Sequence, residues 1–560
     1  MAEQKTNTET GVPEIPDISE LQNIDRAGAL QLLAGLNGVR DYLMSFVADN
    51  GAAPDADAAQ PESPSSSINT MLENEIQRAI ADNAESITDT DPDLNADSES
   101  DTSTALNISS STLYPSVDLT SQKLKGLFTI LAPFYQSQKR APIDLVIVAD
   151  RSYSMEGSPI TLLKETMKFI VTQLSSEDRL AVVTYGTDVN RLTKNLIRMD
   201  DQGKQRVEFL INSITANGNT NLSGGLVTGV EILRERPADD RADVCSVLLL
   251  TDGQANHGFT DPSDIMRACV DPKFARGQGS TPDNIADLGC TINTFGFSEH
   301  HDSNVLKQIA ESGRGMFYFI PNSESIGQSF SDCLGGLLST TSQNLVLTLT
   351  PAPGVTISKV YTKFKVEETL DTRVVRIPDM QSEEKREILL DILVGASDVG
   401  AQQLISATLE YDDVVSEVDR STQQIMTIER TETPDTSDPD LTVDRANNRE
   451  IATAAIEEAQ TLGKSRELGM AKVVLTSAIE EIGRSPSAGD EFCLALVSEL
   501  QAIKQELETR GYTSAIECSM ATTSNAHGYQ RSTGTNKGAQ TSYVTSNRTT
   551  LTINSANYIK

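Results

Sequence analysis

The 560-residue sequence is poor in the residues that most zinc and redox sites need. No two of its six cysteines lie closer together than about twenty residues, and it has only four histidines. A zinc ribbon or a RING needs ligand pairs at short spacing, so neither kind of site fits this chain. The scattered cysteines favour buried free thiols in a reducing compartment over a disulfide framework.

Basic residues and long apolar runs are also scarce. The chain has 46 Lys and Arg against 80 Asp and Glu, a net charge of −34. Nucleic acid and anionic lipid would repel it, so neither is expected as a partner. No stretch approaches the roughly 20 apolar residues of a membrane-spanning helix, and the N-terminal residues MAEQKTNTETGVPEIPD lack the apolar part of a secretory signal. We therefore expect a cytoplasmic protein that does not insert into a membrane.

The length of the chain predicts two to four domains, and its first 112 residues fall into two regions. In the region 1–50, apolar residues recur at helical spacing between 18 and 47 and predict an amphipathic helix. The region 51–112 holds thirteen acidic residues against a single base, Arg78, and no aromatic residue. Such a segment cannot bury enough apolar surface to offset its chain entropy, so we expect it to be disordered.

Between residues 140 and 342, continuous apolar runs alternate with segments of helical spacing. The runs IDLVIVA (143–149), LAVVTY (180–185) and VCSVLLLT (244–251) predict strands, with helices between them. Strands without polar alternation are covered on both faces, which is typical of a mainly parallel sheet. The sequence therefore predicts one doubly wound α/β domain over 140–342.

From residue 343 the apolar residues alternate with polar ones. This period of two predicts an antiparallel β-sandwich over 343–430. The segment 113–139 contains the strand-like LKGLFTILAP and is expected to be a linker or to add a strand to that sandwich. After it we expect a linker at 431–443, a helical region at 444–512 and a low-complexity, loosely ordered tail at 513–560.

Oxygen-bearing side chains follow two of the predicted strands. Asp150, Ser152 and Ser154 come at the end of the first strand, and Asp252 comes at the end of the strand 244–251. Thr220 lies in a Gly/Asn-rich loop before a helix. Ligands of open α/β sheets bind beyond the carboxyl ends of strands, where the strand order reverses. If the two strands flank that point, the two Asp residues face one crevice and Thr220 lies on its rim.

Two carboxylates and three hydroxyls are hard oxygen donors, with no His or Cys among them. Such a set favours Mg²⁺, with Mn²⁺ or Ca²⁺ also fitting, and disfavours zinc and copper. Hydroxyls are neutral, so part of the charge of the ion stays uncompensated, and an open coordination position attracts an anionic oxygen. We therefore expect a protein partner that offers a Glu or Asp to the ion.

These residues resemble the metal-ion-dependent adhesion site of the von Willebrand factor A family. The pattern of that site is D-x-S-x-S, then a Thr in a later loop, then an Asp after a further strand, and all five positions match. The resemblance implies that the two Ser and the Thr contact the ion directly, while the two Asp often act through water. The whole layout is similar to intracellular members that carry a β-sandwich and a helical region after the domain.

Three residues near the predicted site are candidates for partner contact. Tyr153 stands where intracellular members of the family usually have Gly, so it either shapes the partner groove or is a solvent-facing variation. Arg151 could pair with an acid of the partner or serve only as a surface residue. His257 follows Asp252 closely and could touch a partner or be an ordinary loop residue.

The sequence argues against several enzymatic and metal-binding interpretations. A D-x-D phosphotransferase needs a second Asp where Ser152 stands, and residues 218–229 lack the P-loop pattern. His300 and His301 are adjacent on a predicted loop and have no further ligands nearby in the sequence, so a metal pair is disfavoured.

The favoured interpretation is a non-enzymatic binding and scaffold protein. The alternative is a non-catalytic regulatory subunit of an enzyme complex of the ubiquitin-transfer or AAA-ATPase type, and a third reading is a structural protein with an idle metal site. Plant RING-type ubiquitin ligases share the general layout, but ligase activity is not implied because the paired Cys and His of a RING are missing. The identity of the partner and the oligomeric state stay open.

Overall fold

The computed structural model describes residues 105–135, 140–271, 274, 289–297, 301–322, 324–534 and 538–558. These residues belong to one unit, Ser100–Lys560. The predicted helix between 18 and 47 lies outside the described residues, as does most of the predicted disordered region 51–112.

The strands, in chain order, are β1 (Asn107–Thr112), β2 (Ser116–Val117), β3 (Gln122–Leu131), β4 (Ile143–Asp150), β5 (Arg179–Tyr185), β6 (Val189–Arg191), β7 (Ile197–Arg198), β8 (Val244–Thr251), β9 (Thr291–Phe297), β10 (Arg314–Ile320), β11 (Thr340–Pro351), β12 (Val355–Tyr361), β13 (Lys365–Glu368), β14 (Arg373–Gln381), β15 (Lys385–Val394), β16 (Gly400–Asp413) and β17 (Val418–Arg430). The helices are α1 (Ser158–Gln173), α2 (Asp201–Asn212), α3 (Leu222–Arg234), α4 (Pro262–Val270), α5 (Ser303–Ser312), α6 (Glu324–Leu338), α7 (Leu441–Lys464), α8 (Leu468–Gly483), α9 (Glu491–Arg510), α10 (Ser514–Tyr529) and α11 (Ser546–Tyr558).

The predicted mainly parallel sheet is confirmed. Its strand order is β10-β9-β8-β4-β5-β6, and β7 also pairs with β5. The neighbours from β10 to β5 are parallel, whereas β6 and β7 run antiparallel to β5. All eight residues of β4 are buried, as its continuous apolar run indicates. Because the chain builds β5 on one side of β4 and β8 on the other, the strand order reverses around β4.

A β-sandwich, also expected from the sequence, adjoins the α/β domain. One sheet has the order β1-β3-β15-β12 and the other the order β13-β14-β11-β16-β17-β2. The chain therefore begins the sandwich before the α/β domain and completes it afterwards. The predicted end of the disordered region at residue 112 is wrong, since its last six residues form β1, which pairs with β3 along its whole length. Backbone pairing, which composition does not reveal, orders this polar strand.

The helical region follows, and its predicted boundaries need correction. Helix α7 begins at Leu441, where Asp440 caps the first turn, so it starts inside the predicted linker 431–443. The expectation of a loosely ordered tail at 513–560 is wrong, because this segment contains α10 and α11 and most side chains of α10 are buried. Polar tail residues are ordered by buried partners: Asn525, for example, accepts a hydrogen bond from the backbone N–H of Phe317 on the edge strand β10. None of the described helices is long and apolar enough to cross a membrane.

Candidate metal site

The two candidate carboxylates lie at the carboxyl ends of neighbouring strands. Asp150 is the last residue of β4, and β4 pairs with β8 in a register that sets Ala149 beside Leu250. Thr251 therefore reaches the level of Asp150, and its hydroxyl donates a hydrogen bond of 2.6 Å to Asp150 Oδ2. Asp252 follows at once, so both carboxylates belong to the same edge of the sheet.

The loop after β4 folds back on its own aspartate. The backbone N–H of Ser152 donates to Asp150 Oδ1 at 2.8 Å, and a single 3₁₀ turn follows at Tyr153–Met155. Met155 is fully buried and anchors this turn in the core. As a result, the hydroxyl oxygens of Ser152 and Ser154 lie 3.0 Å apart.

A side-chain contact joins this loop to the loop after β8. The Ser154 hydroxyl donates to Asp252 Oδ1 at 2.8 Å. Thr220 lies at the same place: the position that a Cβ at residue 253 would take is 3.3 Å from Ser154 Oγ and 3.5 Å from Thr220 Oγ1. Oxygen atoms from three separate loops therefore meet at this edge of the sheet.

The Thr220 loop is fixed by Asn256, a residue that the sequence analysis did not single out. Asn256 Oδ1 accepts from the backbone N–H of Thr220 at 2.8 Å, and the backbone N–H groups of Asn256 and His257 both donate to the carbonyl of Thr220. The next residue, Asn221, caps α3 by accepting from the N–H of Gly224 at 3.0 Å. Thr220 is thus held between a helix start and the loop after β8.

The loop after β5 fixes the other side of the site. The backbone N–H of Arg151 donates to the carbonyl of Tyr185 at 2.8 Å. The carbonyl of Arg151 accepts from the N–H of Asn217 at 2.5 Å. The N–H of Tyr153 donates to the carbonyl of Gly218 at 3.0 Å. A Cβ at residue 186 would overlap the carbonyl of Asn217, so only glycine allows this close approach of the two loops.

The electrostatics of the site favour a cation. Asp150 is completely buried, and burial raises the pKa of its carboxyl to about 6; the charge of Asp252 acts in the same direction, against the hydrogen bonds from Thr251 and Ser152. No Lys, Arg or His within the described ranges forms an ion pair with Asp150. Burial and the charge of Asp150 also raise the pKa of the neighbouring Tyr185 well above its ordinary value. A divalent cation would relieve this concentration of negative charge.

The donor set fits a hard ion of six-fold coordination. Adjacent ligands of an octahedral Mg²⁺ lie about 3.0 Å apart, given bond lengths of about 2.1 Å. The observed oxygen separations, 3.0 Å from Ser152 to Ser154 and 2.8 Å from Ser154 to Asp252, match that spacing. The described residues hold no group of three or more His, Cys, Asp and Glu that could bind a metal, so hydroxyls would have to supply part of the coordination of any ion bound here.

The structure places the other predicted residues around this centre. Tyr153 is 65% exposed and His257 is exposed, so both side chains face outward, while Arg151 is half-buried. His301 lies elsewhere, packed against Phe317 and Phe319, and His300 lies outside the described residues. Thr251, Gly253 and Asn256 were not predicted as site residues. Thr251 and Gly253 directly flank Asp252, whereas nothing in the sequence marks Asn256, which lies further along the loop.

Comparisons with known proteins agree with the fold described above. The von Willebrand factor type A domain family matches residues 144–332, and the family described as CPSF6-like, RSLD domain, N-terminal region matches residues 440–540. The chain is similar to the E3 ubiquitin-protein ligase WAV3 of Arabidopsis thaliana, with 27% identity over 67% of this chain and 46% of WAV3. It therefore spans about half the length of that relative.

Two further similarities extend beyond plants. The inter-alpha-trypsin inhibitor heavy chain H1 of Sus scrofa is 29% identical over 27% of this chain and 18% of that protein. A solved von Willebrand factor type A structure from Catenulispora acidiphila aligns with a TM-score of 0.55 and 18% identity, covering 70% of this chain and 88% of that one. This likeness shows the fold alone. Family, fold and strand order together establish that the chain contains a von Willebrand factor type A domain, followed by a helical region.

Proposed function

We propose that this chain is a non-catalytic binding protein that recognises an acidic residue of a protein partner through a Mg²⁺ ion. The proposed ligand set is Asp150, Ser152, Ser154, Thr220 and Asp252. The observation that carries the proposal is the meeting of Ser154 with Asp252 at 2.8 Å, beside Ser152 and Thr220, at the edge of the sheet. Mn²⁺ and Ca²⁺ are alternative ions for the same oxygen donors.

The exposure and the hydrogen bonds of the proposed ligand residues indicate a different role for each. Ser154 is exposed, so its hydroxyl lies at the mouth of the site, whereas Ser152 and Thr220 are buried behind it. Asp150 already accepts two hydrogen bonds, from Ser152 and Thr251, and would hold the ion through water. A bound ion supplies a Lewis-acidic position that an outside carboxylate can fill.

The site is rigid enough to be preorganised for binding. Backbone hydrogen bonds fix Arg151 and Tyr153 between the loops after β5 and before α3, and Asn256 fixes Thr220. Little conformational entropy is then lost when a partner binds, which favours affinity.

The relatives support a protein-interaction role. Proteins as different as WAV3 and the inter-alpha-trypsin inhibitor heavy chain H1 share similarity with this domain, so the shared part suits a binding module better than one particular chemistry. We further propose a cytoplasmic location. All six cysteines are free and buried, which suits a reducing compartment.

A second candidate is a non-catalytic part of a ubiquitin-transfer complex. The observation that favours it is that WAV3 and a second Arabidopsis thaliana protein named as an E3 ubiquitin-protein ligase, WAVH1, align over 67% and 65% of this chain. In that case the partner bound at the metal site would be a protein to be modified. Co-purification of the full chain with ubiquitin-conjugating enzymes would support this role.

The test of the main proposal is a pull-down with the full chain as bait, in MgCl₂ and in EDTA. We expect partner proteins to be retained in MgCl₂ and released by EDTA. Asp252→Asn and Ser154→Ala should abolish this EDTA-sensitive set. Asp371→Ala, at an exposed turn of the sandwich, should retain it. Identical partner sets with and without EDTA would refute a metal-dependent site.

A further inference from the structure

We infer that the partner segment carries two acids: one for the metal ion and a second that pairs with Arg151. Arg151 would then be a specificity-determining residue that makes the site select a doubly acidic segment over a single Glu or Asp. This inference rests on the proposed metal-dependent function. It names the chemistry of the partner for that same site.

The backbone of Arg151 is held in place by hydrogen bonds. It lies between Asp150 and Ser152, two proposed ligand residues, and both of its backbone groups are hydrogen-bonded to neighbouring loops, at 2.8 Å to Tyr185 and at 2.5 Å to Asn217. The Cα atom of Arg151, from which its side chain extends, is therefore fixed beside the proposed ion.

The side chain of Arg151 packs against the flank of the proposed site. Arg151 is half-buried, and its Nη1 atom lies 3.6 Å from the position that a Cβ at Gly186 would take. The same position adjoins the carbonyl of Asn217. The guanidinium therefore rests against the junction of the loops after β5 and before α3, at the flank of the site.

This guanidinium has no acidic partner among the residues that the structure describes. In the described part of the chain no carboxylate lies within ion-pair distance of Arg151. Three other half-buried arginines of the same domain do pair: Arg140 with Asp178 at 2.5 Å, Arg179 with Asp144 at 2.6 Å and Arg236 with Asp144 at 2.5 Å. A half-buried, unpaired charge is unfavourable, and a carboxylate brought by a partner would satisfy it.

The net charge of the proposed site also favours a second acid. The two negative charges of Asp150 and Asp252 cancel the two positive charges of a divalent ion at the proposed site. The guanidinium of Arg151 therefore leaves one net positive charge there. The chain as a whole carries −34, so this spot would be a local attraction for acids on a surface that otherwise repels them. A partner segment with two acidic residues can bind the ion with one carboxylate and the guanidinium with the other. The site therefore selects such a segment over one with a single acid.

The test uses Gly/Ser peptides that carry either one Glu or two Glu residues at increasing separation, titrated against the full chain in MgCl₂. At the separation that fits, the two-Glu peptide should bind about tenfold more tightly than the one-Glu peptide. Arg151→Gln should remove the preference, so that the ratio of the one-Glu Kd to the two-Glu Kd falls from about ten to about one. Arg206→Gln, which removes an exposed arginine of α2, should preserve the preference and controls for the loss of a positive charge.

The outcomes separate the two proposals. If Arg151→Gln retains the preference for two Glu residues, or if no separation shows a preference, the inference about Arg151 is wrong while Mg²⁺-dependent binding stands. If the peptides bind equally in EDTA, or not at all in MgCl₂, the proposed function itself fails. An unchanged midpoint of thermal unfolding for Arg151→Gln shows that a lost preference does not come from unfolding.

Discussion

The hydroxyl of Ser154 donates a hydrogen bond of 2.8 Å to the carboxylate of Asp252, although 98 positions separate the two residues. The contact exists because β4 and β8 are neighbours in register, so the loops that follow them emerge side by side. It lies at the mouth of the site, since Ser154 is exposed and Asp252 is buried. Any ion bound there has to interact with both loops at once.

Magnesium should therefore stabilise the folded chain. An ion that binds only the native state adds about 2.7 kcal/mol to the free energy of unfolding at a hundredfold excess over its Kd. The measurement is urea unfolding in MgCl₂ and in EDTA. The gain should vanish in Asp252→Asn and Ser154→Ala and persist in Asp371→Ala. Equal stability of the parent chain in both buffers would argue for an idle site.

Gly253→Ala should weaken metal binding without unfolding the protein. The added methyl would lie 3.3 Å from Ser154 Oγ, a close contact that would displace this oxygen by a few tenths of an ångström, and at an ordinary van der Waals distance of 3.5 Å from Thr220 Oγ1. We expect about a tenfold rise in the Kd for Mg²⁺, which corresponds to about 1.4 kcal/mol, measured by calorimetric titration.

Gly489→Ala is the matched control for this substitution, since a Cβ at that residue meets no atom within 4 Å. It should leave the Kd for Mg²⁺ unchanged. If Gly253→Ala binds Mg²⁺ as tightly as the parent chain, Ser154 does not contact the ion from its present position.

The residues of the candidate site could be predicted from the sequence because they directly follow segments that are recognisable as strands. Asp150 and Asp252 each follow a continuous apolar run, and such runs become neighbouring parallel strands. The residues that hold the site in place through hydrogen bonds could not be predicted in the same way. Asn256 acts through its side-chain oxygen on the backbone of Thr220, 36 positions away, and an Asn in a loop carries no signal for such a contact.

The polar C-terminal tail shows where composition misleads. Ser, Thr and Asn are abundant after residue 513, a composition that favours disorder, yet His527 is fully buried and contacts Glu499 at 2.7 Å and Tyr543 at 3.0 Å. Burial of polar residues depends on partners supplied by distant segments. Local composition contains no information about those partners.

Arg531 should be essential for stability, although it lies in that tail. Its guanidinium is buried and binds Glu384 at 2.7 Å, and it also binds Asp379. Arg531→Met keeps much of the side-chain volume but leaves buried carboxylates underpaired, so the free energy of unfolding should fall by about 3 kcal/mol, as measured by urea denaturation. The exposed Arg510→Met serves as control and should change it by less than about 0.5 kcal/mol. Similar values for the two variants would contradict an ordered tail.

The contribution of Glu384 to stability should depend on pH in one direction. Burial alone would raise the pKa of this carboxyl, but the charges of Arg386 and Arg531 hold it well below its ordinary value of 4.5. The unfolded chain therefore takes up the proton first, so the stabilisation by ionised Glu384 is complete at neutral pH and is lost as the pH falls below about 4.5. The difference in unfolding free energy between the parent chain and Glu384→Gln should be constant near neutral pH and should shrink in acid. For the exposed Glu410→Gln the difference should stay small at every pH. A Glu384→Gln difference that does not change between neutral pH and the acid limit of folding would show that the arginines do not act through the charge of this carboxylate.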